Sequence, residues 1–264
     1  MSNQYWMKFA NNILLKRISS SSLIKGSSLY VLTNIINSAI PFFLIPVLTR
    51  FLTPADYGMI SMFLVVIAFL TPFLGLNVHG AIAKKYYSDE RDQLPVYIGN
   101  CFMVLLVCVT VFSTLLYASG NLFFELTTIP TKFISTIIFL CFSQFISLIP
   151  LTLWQVKKKP VYYGIFQISN TVLNFGITVL LVVVWHKNWQ GRIDAQLVTS
   201  IVFMTVSLIV LIINKEIKLE FRREYFIHIV KYGLPLIPHT VGGILISMID
   251  RLFLTKLVGI NATG

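Results

Sequence analysis

The chain is 264 residues long, 56% hydrophobic and only 12% charged, with a mean hydropathy of +0.80. That excludes an ordinary water-soluble domain, in which about 25% of residues are charged. A formal net charge of +11 would point to nucleic acid in a soluble protein. Here the cations lie between apolar runs, where membrane topology and anionic head groups account for them, so no nucleic-acid partner is expected.

Residues 1–26 place Lys8, Lys16, Arg17 and Lys25 among Trp6, Phe9, Ile13, Leu14 and Ile18. They read as a cytoplasmic N-terminal segment, either an interfacial helix or a flexible lead-in through the Ser19–Ser22 run. Seven uncharged stretches follow, at 27–49, 57–83, 93–124, 133–156, 160–186, 195–214 and 232–249. About 20 helical residues cross a hydrocarbon core of roughly 30 Å, so each stretch predicts one span. The first ends in Thr49-Arg50-Phe51-Leu52-Thr53-Pro54 rather than a small-residue cleavage site, and is read as a retained span.

The connecting segments alternate in charge. Lys84, Lys85 and Arg91 follow the second span, Lys157, Lys158 and Lys159 the fourth, and Lys215, Lys218, Arg222, Arg223 and Lys231 the sixth. The other side holds only Arg50, Lys132, Lys187 and Arg192. Retention of Lys and Arg in the cytoplasm predicts a cytoplasmic N-terminus and a seventh span running outward. The expected organisation is an all-α polytopic membrane protein: a six-span lobe over 27–214, an amphipathic cytoplasmic linker over 215–231, and the start of a second lobe over 232–264. In the linker, Phe221, Tyr225 and Ile229 recur at helical spacing, predicting a helix over 214–233. Cys101, Cys108 and Cys141 all fall inside spans without a CxxC pair and read as small buried side chains.

Polar residues inside spans mark faces that avoid lipid, since an unpaired amide in hydrocarbon costs several kcal/mol. Span 1 carries Asn34, Asn37, Ser38 and Pro41; span 4 carries Ser143, Gln144 and Ser147; span 5 carries Gln167, Asn170, Asn174 and Thr178. Such faces either line a path for a polar cargo or hydrogen-bond between helices. Arg50 and Lys256 are candidate cargo cations or outer-surface anchors. In span 7, His239 lies close to Pro235 and Pro238, which can break the helix, and Asp250-Arg251 is the leading candidate cation site. The alternative for that pair is an interfacial anchor with a snorkelling arginine. There is no GxxxxGK[ST] loop, no HExxH and no paired Cys/His site, so neither a cofactor nor a metal nor an enzyme activity is expected.

A shift of 206 residues aligns Lys25, Ile40, Leu48, Thr49 and Gly58 with Lys231, Ile246, Leu254, Thr255 and Gly264, a faint internal repeat. Three segments carry a stronger signal: Pro46-Val47-Leu48-Thr49-Arg50-Phe51-Leu52-Thr53-Pro54-Ala55-Asp56-Tyr57-Gly58; Gly75-Leu76-Asn77 with Lys84-Lys85-Tyr86-Tyr87; and Tyr232-Gly233-Leu234-Pro235-Leu236-Ile237-Pro238-His239 leading to Asp250-Arg251-Leu252-Phe253-Leu254. These resemble the polysaccharide-transporter branch of the multidrug/oligosaccharidyl-lipid/polysaccharide exporter superfamily, the O-antigen flippases above all. The resemblance implies a bacterial inner-membrane protein that moves undecaprenyl-pyrophosphate-linked oligosaccharide, an O-antigen or capsule unit, to the periplasmic leaflet by alternating access. It implies lipid-linked oligosaccharide, membrane lipids, and a polysaccharide polymerase with its assembly proteins as partners. Members typically have 12 or more spans in two lobes, so the chain is expected to be truncated after span 7. The alternatives are a drug/cation antiporter of the related multidrug-extrusion branch and an inactive half-transporter.

Overall fold

The computed structural model describes residues 22–88 and 91–260. Its first helix, α1 (Ser22–Phe51), contains Pro41 and Pro46 and gives way at Thr53 to α2 (Pro54–Gly75). The switch has a local cause. Pro54 opens α2 at a position where its missing N–H costs nothing, and Thr53 and Asp56 form a reciprocal capping box. The Asp56 N–H donates to Thr53 Oγ1 at 3.2 Å, and the Thr53 N–H donates to Asp56 Oδ2 at 3.0 Å.

Two of the long apolar runs are broken helices. The run at 57–83 stops at Gly75 because Leu76 and Asn77 both adopt left-handed backbone, φ 41° and 49°, before α3 (Val78–Tyr86) begins. The run at 93–124 divides between α4 (Leu94–Ala118) and α5 (Gly120–Thr127). Then come α6 (Ile134–Val156) and α7 (Pro160–Val179), the latter ending in a π turn over Leu180–Val184. Next, α8 (Trp189–Ile213) starts ahead of the uncharged run expected from 195, so Arg192 and Asp194 belong to a helix rather than to a loop.

The helix expected over 214–233 begins only at Arg223, as α9 (Arg223–Gly233). The segment before it is tied to α4 instead. Lys218 N–H donates to the Pro95 carbonyl at 2.9 Å, and Arg222 N–H to Asn100 Oδ1 at 3.0 Å. The fully buried Asn100 returns a bond from Nδ2 to the Glu220 carbonyl at 2.8 Å. Backbone donors committed in this way are lost to a helix. The last helix is α10 (Leu236–Leu257).

Among the described residues, seven segments are long and apolar enough to cross a membrane: six are contributed by α1, α2, α4, α6, α7 and α8, and the seventh, Arg223–Leu257, covers α9 and α10. Among the described residues there is no strand. The protein is therefore an all-α polytopic membrane protein. At its centre α6 packs against α2, α3, α4, α7 and α8, burying Phe63, Leu74, Tyr97, Leu105, Ile137 and Ile149 completely. The periphery is apolar as well: Ile35, Phe42 and Phe43 of α1 and Ile212 and Ile213 of α8 are exposed. That inversion suits a lipid surround, where helices associate by close packing and hydrogen bonds rather than by escape from water.

Two of the motif segments meet here. Helix α10 runs along α2, and glycines sit where backbones touch at both ends. A Cβ on Gly233 would lie 2.1 Å from the Leu76 carbonyl oxygen, and one on Gly58 2.1 Å from that of Ile260. Without side chains at these points, α10 is seated against the first bundle at its base and at its tip.

Candidate functional site

The polar faces of α1, α6 and α7 converge. Asn37 Nδ2 donates to Gln167 Oε1 at 3.1 Å, and Thr171 Oγ1 donates to Asn37 Oδ1 at 3.0 Å, joining α1 to α7. Gln167 Nε2 donates in turn to the Tyr163 hydroxyl at 3.0 Å. The chain folds this way because Asn37 of α1 and Gln167 of α7 would each be unpaired in hydrocarbon and satisfy one another by facing across the seam.

Beyond this seam lies a half-open cavity of about 410 Å³, lined by α6, α7 and α8 with Pro41 of α1 at its edge. That size falls within the range of small-ligand sites, about 300–1,000 Å³. Ser143, Gln144 and Ser147 line it from α6, and Gln167, Asn170, Thr171 and Asn174 from α7. Helix α8 adds Arg192, Gln196, Thr199 and Ser200. The Ser143 and Thr199 hydroxyls donate to carbonyls of their own helices at 2.9 and 2.8 Å, which leaves their lone pairs to accept. At one end Arg192 Nη1 donates to Asn174 Oδ1 at 2.5 Å and to Thr178 Oγ1 at 3.2 Å. The lining thus offers amides and hydroxyls, which suit the many hydroxyls of a sugar, and one cation.

Of the candidate residues, Gln167, Asn170 and Asn174 line the cavity, and Asn37 is bonded beside it. Asn34 is exposed on another side of α1, in a shallow groove with Val31, Ile35, Ser38 and Phe42. Arg50, His239, Asp250 and Lys256 are exposed, and Arg251 is half-buried. Arg251 and Asp250 share a local contact in which the Arg251 N–H donates to Asp250 Oδ1 at 2.8 Å, and none of these five lines the cavity.

Arg192 and the α8 face did not stand out in the sequence because the first acid- and base-free residue of that run is Ala195. The signal was nevertheless there: Arg192, Gln196, Thr199 and Ser200 recur at the spacing of one helix face. A second unforeseen feature is the junction of α2, α3 and α10. There His79, Asn77, Thr71, Gly233 and Thr240 line a cavity of about 80 Å³. His79 Nδ1 is, among the described residues, a buried polar atom without a hydrogen bond. At the end of the bundle where α3, α4 and α9 meet, the Tyr97 hydroxyl shares a hydrogen bond of 2.8 Å with His228 Nδ1. Lys85 stands 4.7 Å from the Tyr225 ring centre there. Together with Lys84 these groups form a basic, aromatic cleft of about 440 Å³, with Glu224 also in its lining.

Comparison with known proteins adds the context. The polysaccharide biosynthesis protein family matches residues 23–264. An uncharacterized membrane protein of Haemophilus influenzae is 25% identical over 237 residues, covering 88% of this chain and 56% of its own length. A protein of the same organism named for its Lsg locus is 24% identical over 236 residues, covering 87% and 56%. The chain spans about half the length of the curated relatives it matches. No solved structure matches.

Proposed function

The chain belongs to the polysaccharide biosynthesis protein family, and we propose that it acts in moving lipid-linked oligosaccharide, an O-antigen or capsule repeat unit on undecaprenyl pyrophosphate, from the cytoplasmic to the periplasmic leaflet. It is a membrane protein of transporter type rather than a catalyst. One observation carries the reading: a cavity of about 410 Å³ between membrane-crossing helices, whose lining gathers amides and hydroxyls from α6, α7 and α8. Each such group costs several kcal/mol if left unpaired in hydrocarbon, so their collection around one cavity calls for a polar occupant. Sugar hydroxyls supply both donors and acceptors for that wall, while a polyprenyl tail stays in lipid.

In this reading the protein sits in the bacterial inner membrane with its N-terminus cytoplasmic, as the alternating charge of its loops supports. Alternating access needs an element that moves. Helix α10 is the candidate, hinged where α9 ends at Gly233 and Pro235 follows. Asp250, Lys256, His239 and Arg50 are exposed and Arg251 is half-buried away from the cavity, and in this reading they meet cargo only where further protein covers α10. A polysaccharide polymerase and assembly proteins are the partners that would consume the product.

The test is a deletion strain in which the leaflet distribution of lipid-linked oligosaccharide is read by its accessibility from the periplasm. Deletion is expected to trap the oligosaccharide on the inner leaflet and to deplete surface polysaccharide, both restored by a plasmid copy. Unchanged surface polysaccharide with lowered drug tolerance would replace this reading with the antiporter.

A further inference from the structure

Among the described residues, the polar cavity is lined by a single charged side chain, Arg192, and no carboxylate. Among the described residues Arg192 makes no ion pair; its recorded partners are the neutral Asn174 and Thr178. The acid nearest in sequence, Asp194, and Asp56, which reaches the start of α8, are both committed elsewhere. Asp194 pairs with Lys187 at 2.8 Å. Across the bundle, Asp56 accepts from Thr53 at 2.6 and 3.0 Å and from the Trp189 N–H at 3.4 Å.

Arg192 also stands in the first turn of α8, where unpaired backbone N–H groups already make the end of the helix positive. A partly buried cation at a positive helix end is opposed twice, by lost hydration and by the helix dipole. Both penalties reverse when an anion enters. The guanidinium is planar with five donors, of which Asn174 and Thr178 engage one nitrogen, so a fork remains for a bidentate oxyanion.

We infer that Arg192 is the seat of an oxyanion carried by the cargo, inside the bundle of α6, α7 and α8 and distinct from the charged residues of α10. The inference rests on the reading of the cavity as a cargo site and deepens it: the preferred cargo presents a carboxylate or phosphate to Arg192 and hydroxyls to the amide wall. Two sources share this chemistry, the pyrophosphate of the lipid carrier and an acidic sugar.

The experiment is calorimetric titration of the purified protein in detergent with inorganic pyrophosphate, glucuronate and glucose in separate arms. Binding of either anion, weakened at least tenfold in Arg192→Gln and by a clearly larger factor than glucose binding, is the expected result. Which anion binds identifies the source. Asn174→Asp provides the check against simple misfolding, because it gives Arg192 an internal carboxylate. Anion binding should be lost in that variant while its Tm holds or rises. Glucose binding without anion binding in the parent protein would overturn the Arg192 seat and leave the sugar cavity standing. Failure of all three arms would overturn both. Equal anion affinity in the parent, Arg192→Gln and Asn174→Asp proteins would remove Arg192 from the site.

Discussion

Replacing Gly233 by alanine probes how α10 is seated. The added Cβ would lie 2.1 Å from the Leu76 carbonyl oxygen and 2.8 Å from both the Leu76 carbonyl carbon and Cβ, against an ordinary contact of 3.4 Å or more. Leu76 cannot easily yield. It and Asn77 are already held in left-handed backbone, where further rotation meets steric limits. Relief therefore requires the end of α9, and α10 that follows it, to back away from the α2–α3 elbow by about an ångström, at about 1–3 kcal/mol for overpacking. Alanine returns about 0.4–1 kcal/mol through the unfolded chain, leaving a net loss of about 1–2 kcal/mol. For a chain of this size that is a fall in Tm of about 2–8 °C. Thermal unfolding in detergent measures it, with Gly242→Ala as the control. Nothing lies within 4 Å of a Cβ at Gly242, so that variant should melt with the parent or slightly above it. If Gly233→Ala and Gly242→Ala melt together, the close approach of α10 to the elbow is not what holds the two motifs in place.

Further outcomes are expected elsewhere. A double-mutant cycle on Asn37→Ala and Gln167→Ala should give a coupling of about 0.6 kcal/mol and no more than about 1.7, the range for hydrogen bonds between membrane helices; additivity within error would show that α1 and α7 do not meet there. Asp56→Ala removes the capping box of α2 and the acceptor for the Trp189 N–H, and should cost about 1–2 kcal/mol in thermal unfolding. Asn100→Ala should release the 214–222 segment from α4 and speed proteolytic nicking there, since two backbone bonds worth about 0.5–1.5 kcal/mol each are lost. The Glu220 carboxyl is held below its ordinary range by hydrogen bonds from Lys218 and Arg222. Its contribution to that segment's protection is therefore full at neutral pH, begins to fall as pH drops through the ordinary carboxylate range, and is gone once pH is below the lowered pKa of the folded chain, whereas nicking of Glu220→Gln should lack that pH dependence.

The spans were legible in the sequence because a membrane enforces length and polarity at once. Residues 133–156 and 160–186 contain no charge, and both became single crossing segments. The breaks were not legible. Nothing in the apolar run at 57–83 announces that Leu76, a poor residue for left-handed backbone, would adopt it beside Asn77; the tertiary contact with Gly233 and the ring of Phe145 against Gly75 decide it. Helical spacing of amides anticipated that Asn37 and Gln167 lie on inward faces, but not that they bond each other, because periodicity fixes a face and not its neighbour. Arg192 was concealed by charge itself. Counting it among loop cations made it a topology signal, while in the fold α8 starts early enough to draw it in against Asn174 and Thr178. The 214–222 segment shows the reverse error, since Phe221 fits the helical stripe yet stays exposed while Asn100 takes the backbone bonds a helix would need.

The central claim, passage of a lipid-linked oligosaccharide by way of the polar cavity, is tested most directly in proteoliposomes. The protein as the cell makes it is reconstituted with fluorescently labelled undecaprenyl-pyrophosphate oligosaccharide in the inner leaflet, and appearance of label in the outer leaflet is followed by quenching. The account predicts transfer well above empty vesicles, slowed at least tenfold by Asn170→Leu together with Gln196→Leu, which strip amides from the wall without touching α10. Transfer at the empty-vesicle rate, or transfer indifferent to that double substitution, would contradict it.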